Sequence, residues 1–316
     1  MSVGNEIEKG VLLIAFGKPR YVNFAKNLSS SIRLYNSEIP IALVTDSEDT
    51  RLADYFQYII PLDPEKGSGF SQKMYMNKYS PFQKTLFIDS DCLAVGDISF
   101  LFEWMNGQPI SVLGKKVFHG SLLGTTIEEI KKKININYLP TFNGGVYYFE
   151  KGEESEKVFN LARVIFFEKY KEWGLWLFDG KPGDEPAMSI AMGHFQIEPT
   201  ADPEYKSMYT PVGQKGIFKM DILKGFCLFN KNDVWVRPTV MHFGGGYPEA
   251  FHYKREIAKL NFYSFTKISK PISSFFINLI YNTPYIIFVF LYRLIKWVSG
   301  KSKLKFSPLI PMFRFE

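Results

Sequence analysis

A run of apolar residues that ends in two carboxylates constrains this chain more than any other feature. Leu86, Phe87 and Ile88 can pack on both faces of a sheet, and Asp89 and Asp91 follow them. A strand buried on both faces is typical of a parallel sheet, and it tolerates aspartate only where the chain leaves the sheet. The pair is therefore predicted at the carboxyl end of a strand, which is the edge where open α/β sheets bind ligands.

Two carboxylates one residue apart can present oxygens to one hard divalent cation, which can in turn hold a diphosphate. An acidic turn after a strand is the alternative interpretation when such a pair stands alone. The choice between them depends on which other side chains the fold brings to the same edge.

The residues before this pair alternate between buried strands and helices. The predicted elements are strands at Gly10–Gly17, Ile39–Asp46, Tyr58–Ile60 and Lys84–Ile88, with helices at Pro19–Tyr35 and Ser71–Tyr79. Proline at an early position suits the start of the first helix. This alternation predicts an α/β fold with a Rossmann-like, mostly parallel sheet flanked by helices.

The pattern changes after Ile98. The predicted elements are then a short helix at Phe100–Met105, a strand at Pro109–Leu113, a polar segment at Lys115–Asn137, and helices at Glu153–Trp173 and Asp184–Met192. A late strand over Val240–Gly246 ends in a histidine and three glycines. Asn143 and Gly144 are expected in a polar glycine turn that feeds a strand ending at Phe149. The acids that open the second of these helices suit a helix N-terminus.

Composition bounds the class of protein. The 316 residues are 46% hydrophobic and 22% charged, which is typical of a globular chain. Cys92 and Cys227 are the two cysteines, too few for a disulfide framework, and a reduced cytoplasmic setting fits them. Met1 to Gly10 lack the pattern of a signal peptide, so export of the catalytic part is not expected.

The net charge of +6 is concentrated at the C-terminus, where residues 268–316 carry seven basic side chains and one acid. The first 267 residues are thus close to neutral, which argues against a nucleic-acid-binding body. We expect a catalytic domain over residues 1–265 and a basic, aromatic tail over residues 266–316.

The tail predicts attachment to a membrane surface. Pro271–Tyr292 is uncharged over 22 residues, the length of a bilayer span. Asn278, Asn282, Thr283 and Pro284 interrupt it, which favours two short helices lying in the interface over a span or a buried core helix. The basic residues expected to meet anionic lipid are Arg293, Lys296, Lys301, Lys303 and Lys305. We expect peripheral attachment to the cytoplasmic face of a membrane.

Taken together, these stretches resemble the glycosyltransferases of the GT-A fold, most closely family 8, which includes glycogenin and bacterial lipopolysaccharide galactosyl- and glucosyltransferases. The resemblance spans roughly Val11 to Arg255. The blocks that carry it are Ser80-Pro81-Phe82 with Asp89-Ser90-Asp91, Phe142-Asn143-Gly144-Gly145-Val146, Phe178-Asp179-Gly180 with Gly183-Asp184-Glu185, and His242-Phe243-Gly244-Gly245. The third block departs from the family pattern by two extra residues and by Glu185 in place of glutamine.

The resemblance implies that Asp89, Asp91 and His242 hold a divalent cation. Mn²⁺ or Mg²⁺ at this position would stabilise the diphosphate that leaves when a sugar is transferred. An imidazole ligand favours Mn²⁺ over Mg²⁺.

The same resemblance assigns the remaining site residues. Asn143, Asp184 and Glu185 are expected in the catalytic centre, where Asp184 orients the substrate. Residues expected to bind the sugar nucleotide are Ala15, Phe16 and Tyr21 at the uracil, Asp46 at the ribose, and Lys73, Ser90, Gly144 and Gly245 near the diphosphate. Pro248 stands where the family has a phosphate-binding lysine, and Lys254 or Arg255 is the possible substitute.

The implied activity is transfer of a hexose, with retention, from a UDP-sugar to a glycan or lipid-linked acceptor. One alternative is a degenerate transferase that only binds a sugar nucleotide or a membrane. Another is a phosphatase that uses an Asp-x-Asp pair, but such a pair follows the first strand of its domain and precedes threonine. Here the two strands of a βαβ unit come earlier and Cys92-Leu93 follows.

Overall fold

The structure is a computed structural model that describes residues 7–122, 124–175, 177–178 and 180–299. The strands are β1 (Ile7–Ile14), β2 (Ile41–Thr45), β3 (Tyr58–Pro61), β4 (Phe82–Ile88), β5 (Cys92–Ala94), β6 (Ile110–Val117), β7 (Ser121–Leu122), β8 (Thr125–Thr126), β9 (Leu139–Glu150), β10 (Leu177–Phe178), β11 (Lys181–Pro182), β12 (Met208–Tyr209), β13 (Gln214–Asp221), β14 (Phe226–Lys231), β15 (Val234–Val236) and β16 (Val240–His242).

The α-helices are α1 (Pro19–Arg33), α2 (Met76–Tyr79), α3 (Ser99–Trp104), α4 (Ile127–Lys131), α5 (Glu153–Val164), α6 (Asp184–His194), α7 (Phe251–Thr266) and α8 (Lys270–Ser299). The 3₁₀ segments are Thr50–Asp54, Pro64–Lys66, Gly69–Tyr75 and Tyr247–Glu249, and a π-helical turn spans Ile165–Lys169.

A six-stranded sheet in the order β3-β2-β1-β4-β9-β6 forms the centre of the fold. Strands β1 to β4 are parallel, while β9 runs antiparallel to both β4 and β6. This confirms the predicted α/β fold with a mostly parallel sheet. Because β1, β2 and β4 are parallel neighbours, their carboxyl ends share one edge, and Asp46 and Asp89 follow two of them.

Both faces of the sheet are covered. Leu12 and Phe87 belong to an apolar cluster with α5 and α6, whereas Leu13 and Leu86 belong to a second cluster with α1 and α3. Adjacent residues of one strand point to opposite faces, so two buried clusters require a near-continuous apolar strand. The apolar run in the sequence of β4 is such a strand, and it predicted a central position for β4.

A smaller sheet of β12, β16 and β5 determines where the late strand lies. Strand β5 begins directly after the carboxylate pair, and β16 runs antiparallel to it with His242 opposite Cys92. The Phe243 N–H also donates to the Asp91 carbonyl at 3.1 Å. This pairing carries a residue from the far end of the chain to the turn that holds Asp89 and Asp91.

Two predicted elements differ in the structure. Asn143 and Gly144 do not form a turn but lie inside β9, a strand of 12 residues. The pairing of β6 with β9 shifts register between Val112 and Gly114, so the strand continues past its glycines with an irregularity rather than a reversal. The helix predicted over Ser71–Tyr79 is mostly the 3₁₀ segment Gly69–Tyr75, followed by the single turn α2.

The tail is one helix rather than the two that the sequence predicted. Helix α8 has 30 residues and continues through Asn282, Thr283 and Pro284. A proline removes one backbone donor, and the residues on either side can keep their own bonds. The predicted break is therefore wrong. Lys301, Lys303 and Lys305 lie outside the described residues.

The beginning of α8 packs on the rest of the protein. Ser273, Ser274 and Ile277 are buried, and Arg255 Nη1 donates to Asn282 Oδ1 at 3.3 Å. Within the part of the chain that the structure describes, no helix has both the length and the apolar character needed to cross a membrane.

A buried network of charges joins β13, α7 and α8. Lys259 Nζ lies 3.0 Å from Glu256 Oε1 and 3.3 Å from Asp221 Oδ2. Arg255 Nε donates to Glu256 Oε1 at 2.8 Å, and the Ser274 hydroxyl bonds to Asp221. Lys259 and Glu256 are fully buried. Each charge here has a partner, which is the condition under which charges are tolerated away from water.

Candidate active site

Three separate segments meet at the carboxyl end of β4. Lys73 Nζ in the 3₁₀ segment lies 2.9 Å from Asp89 Oδ2. His242 Nε2, at the end of β16, lies 3.2 Å from Asp91 Oδ1 and 3.8 Å from Asp89 Oδ2. The Asp89 N–H donates to the Gly145 carbonyl at 2.9 Å, which ties the carboxylate turn to β9. The fold therefore brings together four side chains that were predicted to share one site, namely Lys73, Asp89, Asp91 and His242.

Asn143 fixes the orientation of His242. The Gly145 N–H donates to Asn143 Oδ1 at 3.0 Å, and His242 Nδ1 lies 2.6 Å from the same oxygen. Since an amide oxygen only accepts, Nδ1 must carry a proton. A neutral His242 ring would then direct the lone pair of Nε2 at two carboxylates, an arrangement of acceptors that requires a cation between them.

A proton or a metal ion can supply that cation. Burial lowers the pKa of His242, but the hydrogen bond and charge of Asp91, together with the charge of Asp89, raise it overall. A divalent ion would take the place of the proton on Nε2, and the bond from Nδ1 to Asn143 already orients the ring for that role.

Among the described residues, one group of side chains could hold a metal, and it contains two of the three predicted ligands, Asp91 and His242, but not Asp89. Ligand atoms of Asp91, Cys92 and His242 lie within 4.8 Å of one another. Burial raises the pKa of the Cys92 thiol well above its usual value, and a soft thiolate suits other metals better than Mn²⁺ or Mg²⁺. Two carboxylates and an imidazole, by contrast, are donors that suit Mn²⁺ or Mg²⁺. The donor set of Asp89, Asp91 and His242 therefore fits the implied ion.

A second cluster surrounds Asp184 at the start of α6. Lys73 Nζ lies 3.1 Å from Asp184 Oδ2 and donates to the Gly144 carbonyl at 3.0 Å. The Tyr147 hydroxyl donates to the same Asp184 oxygen at 2.8 Å. Burial lowers the pKa of Lys73, but the charges of Asp184 and Asp89 outweigh it and raise the pKa, so the ammonium group is retained.

Tyr147 is a site residue that sequence reasoning missed. It is fully buried in β9, one of the aromatic residues of Tyr147-Tyr148-Phe149, and it also belongs to the apolar cluster on one face of the sheet. The strand alternation places it on the same face as Phe87, opposite to Tyr148. Nothing in the residue order marks its hydroxyl, because a tyrosine in a strand most often serves as core.

The glycines of β9 permit close approach of the backbone to the site. A Cβ atom on Gly144 would lie 2.7 Å from Asp184 Oδ2, and one on Gly145 would lie 2.6 Å from His242 Nδ1. The Gly144 N–H donates to Glu185 Oε1 at 2.7 Å, so Glu185 helps to hold the strand against α6. Burial and the charge of Asp184 raise the pKa of Glu185.

The residues predicted to bind the nucleoside form a separate group at the same sheet edge. Both oxygens of Asp46 accept from the Gly17 N–H, at 3.1 and 3.0 Å, and thereby close the turn between β1 and α1. Ala15 is buried next to this turn, Phe16 is half-buried, and the Tyr21 hydroxyl accepts from Arg20 at 2.9 Å. No hydrogen bond among the described residues joins this group to the Lys73 cluster.

The remaining predicted contacts are less constrained. Ser90 is half-buried between the two aspartates, and Gly245 has a φ of +68° with open space around it. Lys254 pairs with Glu249 at 2.9 Å, while Arg255 is bound into the buried charge network. Arg255 is thus not available as the substitute for the lysine that Pro248 replaces.

Comparison with known proteins adds information on the fold. A scan against protein-family models gave no match, and a search of the curated proteins gave none. Among solved structures, the bifunctional glycosyltransferase WbbM in its apo form has a TM-score of 0.52 at 17% identity, covering 82% of this chain and 50% of that chain.

Two further structures are less similar. The galactosyltransferase LgtC in complex with donor and acceptor sugar analogs has a TM-score of 0.45 at 16% identity, covering 65% of this chain and 76% of that chain. The glycosyltransferase GlyE of Streptococcus pneumoniae TIGR4 has a TM-score of 0.42 at 16% identity, covering 63% of this chain and 46% of that chain. The chain spans about half the length of GlyE and of WbbM. The likeness to WbbM shows a shared fold, so the chain resembles the glycosyltransferases of the GT-A fold in its architecture, as the sequence predicted.

Proposed function

We propose that this protein is a metal-dependent glycosyltransferase that moves a hexose from a UDP-sugar to a glycan or lipid-linked acceptor. The observation that carries the proposal is the geometry at His242, whose Nε2 lies 3.2 Å from Asp91 and 3.8 Å from Asp89 while Nδ1 is bound to Asn143. An imidazole held in this orientation can bind a cation through Nε2. The buried Lys73 adds a positive charge next to Asp89.

The chemistry follows from charge. Breaking the bond between the anomeric carbon and the phosphate oxygen leaves a diphosphate that carries more negative charge than the donor did at that oxygen. When bound by Asp89, Asp91 and His242, Mn²⁺ would neutralise this charge. Lys73 and Tyr147 both contact Oδ2 of Asp184, which leaves Oδ1 to accept a hydrogen bond from a sugar hydroxyl and so to orient the donor.

Retention at the anomeric carbon is part of the proposal and is supported only by the family resemblance. Asp184 then orients substrate and forms no covalent bond with the sugar. An inverted product in an NMR spectrum, or a sugar trapped on a carboxylate, would contradict this part.

Donor hydrolysis by the purified full chain tests the proposed function. UDP-glucose, UDP-galactose and GDP-mannose are incubated with Mn²⁺, with Mg²⁺ and with a chelator, and release of the nucleotide is measured. We expect release from a UDP-sugar that depends on Mn²⁺ and stops with the chelator. A rate that the chelator leaves unchanged would refute metal dependence. Mn²⁺-dependent UDP binding without turnover would support the degenerate binding protein instead.

Tyr147→Phe should slow donor turnover about 10-fold to 100-fold. The change removes a hydrogen bond to a charged group, which contributes about 1.5–3 kcal/mol, and leaves Lys73 as the one side-chain partner of Asp184 among the described residues. The matched control is Tyr148→Phe, because Tyr148 is equally buried but bonds to Glu150 and Asn106 instead. Turnover and affinity for UDP are measured for both. Equal rates in the two variants would show that the Tyr147 hydroxyl serves the core only.

We also propose that α8 attaches the protein peripherally to the cytoplasmic face of a membrane that carries anionic lipid. The support is an exposed apolar stripe on the helix, formed by Ile272, Phe275, Phe276, Leu279, Ile280, Ile287, Leu291 and Leu294. Phe265, just before it on α7, is 90% exposed. No acidic residue occurs from Ile257 to Phe315, so nothing in this stretch repels lipid phosphate.

Replacing Phe275, Leu279 and Ile280 by serine should release the protein from phosphatidylserine vesicles at low salt while donor hydrolysis continues. Burial of each such side chain contributes about 1.5–3 kcal/mol when complete, so we expect at least a ~10-fold loss of binding even if insertion is shallow. Substitutions are preferable to truncation at residue 268, because Ser274 and Ile277 pack on the body. Serine at the exposed Val212, Ile217 and Val234 is the control. Equal sedimentation of both variants would show that α8 is not the membrane contact.

A further inference from the structure

A cavity of about 330 Å³ opens beside the Lys73 cluster and has no role in the chemistry described above. Its lining is mainly aromatic, with Phe70, Phe166, Phe167 and Tyr170, and is completed by Ser68, Ser71 and Pro182. A volume of this size is within the range of small-molecule sites in proteins.

The segments that line the cavity also carry residues of the reacting centre. Ser71 belongs to the same 3₁₀ segment as Lys73, and Pro182 comes two residues before Asp184. The Phe70 ring centroid lies 5.7 Å from Lys73 Nζ. A molecule that placed one hydroxyl near Asp184 and Lys73 would therefore have the next part of its structure at the mouth of this cavity.

The aromatic wall is built on an irregular helix. Helix α5 ends at Val164, and the chain continues as a π-helical turn over Ile165–Lys169. Phe166 stays buried in the core, whereas Phe167 is 45% exposed and lies 6.1 Å from the Tyr75 ring. Turns of this type are rare and are frequent at functional sites, since the widened turn displaces side chains from their regular helical positions.

The lining identifies the kind of ligand. A bare sugar can stack its C–H face on an aromatic ring, but each hydroxyl that is buried needs a hydrogen-bond partner. The side-chain polar groups of the lining are the hydroxyls of Ser68, Ser71 and Tyr170, and the Ser71 hydroxyl is already bonded to the Ser68 carbonyl at 2.8 Å. Aromatic rings instead favour flat or unsaturated hydrocarbon.

We propose that this cavity binds an apolar aglycone of the acceptor, with the sugar or phosphate part of the acceptor directed toward Lys73 and Asp184. The inference rests on the proposed transferase function and adds the acceptor class to it. An acceptor of this chemistry carries its hydrophobic group next to the hydroxyl that is glycosylated.

The test compares acceptor analogues that differ only in the aglycone. Binding of methyl, octyl and 4-nitrophenyl β-D-galactopyranoside to the full chain, with Mn²⁺ and UDP, is measured by saturation-transfer difference NMR. We expect the 4-nitrophenyl compound to bind at least ~10-fold more tightly than the methyl compound, because its ring can pack against the aromatic side chains of the cavity. The octyl compound shows whether a flexible chain, as in a lipid, is accepted as well as a flat ring.

Two variants locate the binding. Phe167→Ala removes the exposed part of the aromatic wall, and Ser68→Trp adds a bulky ring at a second lining residue without changing a site residue. Both should reduce the preference for the 4-nitrophenyl compound to ~2-fold or less, while Phe265→Ala, on an exposed phenylalanine of α7, should leave it unchanged. Donor hydrolysis in the absence of acceptor should continue in all three.

The outcomes distinguish failure of the aglycone site from failure of the transferase function. Equal binding of methyl and 4-nitrophenyl compounds, absence of binding by all three, or a preference that survives both variants would overturn the aglycone site. If donor hydrolysis persists in that case, the transferase assignment stands and only this inference fails. Absence of hydrolysis together with Phe167-dependent binding would refute the transferase while keeping a hydrophobic binding site.

Discussion

Asp91→Asn should lower the turnover of a UDP-sugar by about 10²-fold to 10³-fold, the loss typical when one electrostatic contact to a developing charge is removed. The substitution takes one of the two carboxylates away from His242 Nε2, which lies 3.2 Å from Asp91 Oδ1. A metal ion would then have one carboxylate and one imidazole from this set, so its affinity should fall together with the rate.

The measurements are nucleotide release and Mn²⁺ affinity by calorimetric titration, each for the wild type and the variant. Asp233→Asn is the control, because Asp233 is exposed and pairs only with Lys215 among the described residues. Full activity of Asp91→Asn would remove the carboxylate pair from the mechanism. A lower Mn²⁺ affinity with an unchanged rate would restrict the metal to a structural role.

Lys259→Met should cost about 3–5 kcal/mol of unfolding free energy, because it removes one partner from a buried group of charges. Lys259 Nζ contacts Glu256 and Asp221. Lys259 and Glu256 have no exposed surface. Methionine fills the space but leaves the two carboxylates with less compensation, since among the described residues Arg255 pairs with Glu256 and not with Asp221.

Urea unfolding followed by circular dichroism measures the loss. Lys254→Met, on the same helix, is the matched control because its ammonium group is half exposed and pairs with Glu249 at the surface. We expect the control to change stability by less than about 1 kcal/mol. Similar values for the two variants would show that the buried network contributes little to holding α7 and α8 on β13.

The sequence by itself determined the strand that ends in Asp89 and Asp91. Its apolar run specified burial on both faces, and the alternation of strands with helices specified a parallel sheet, because both patterns depend on short-range spacing that survives in any tertiary context. The helix over Pro19–Arg33 and the one that begins at Asp184 were predicted within two residues at each end. Proline and acids at their first turns mark these starts locally.

The tertiary structure alone decided the surroundings of that strand. The antiparallel pairing of β16 with β5 places His242 opposite Cys92, a contact between residues 150 positions apart that no local pattern records. The same is true of Tyr147, which becomes part of the site only because α6 brings Asp184 to its hydroxyl. Asn143 and its glycines were read as a turn, since the local preference of Asn-Gly is for a turn.

Tertiary packing overrides the preference of Asn143-Gly144 for a turn. Inside β9, the glycines allow Asp184 and His242 to approach the backbone more closely than any Cβ would permit, and Asn143 uses its side-chain oxygen to hold the histidine. Likewise, Lys259 and Glu256 look like a solvated pair on a helix, and only the position of β13 and α8 above them makes the pair buried. Propensity and spacing act over a few residues, whereas close approach and desolvation depend on which distant segments share the same space.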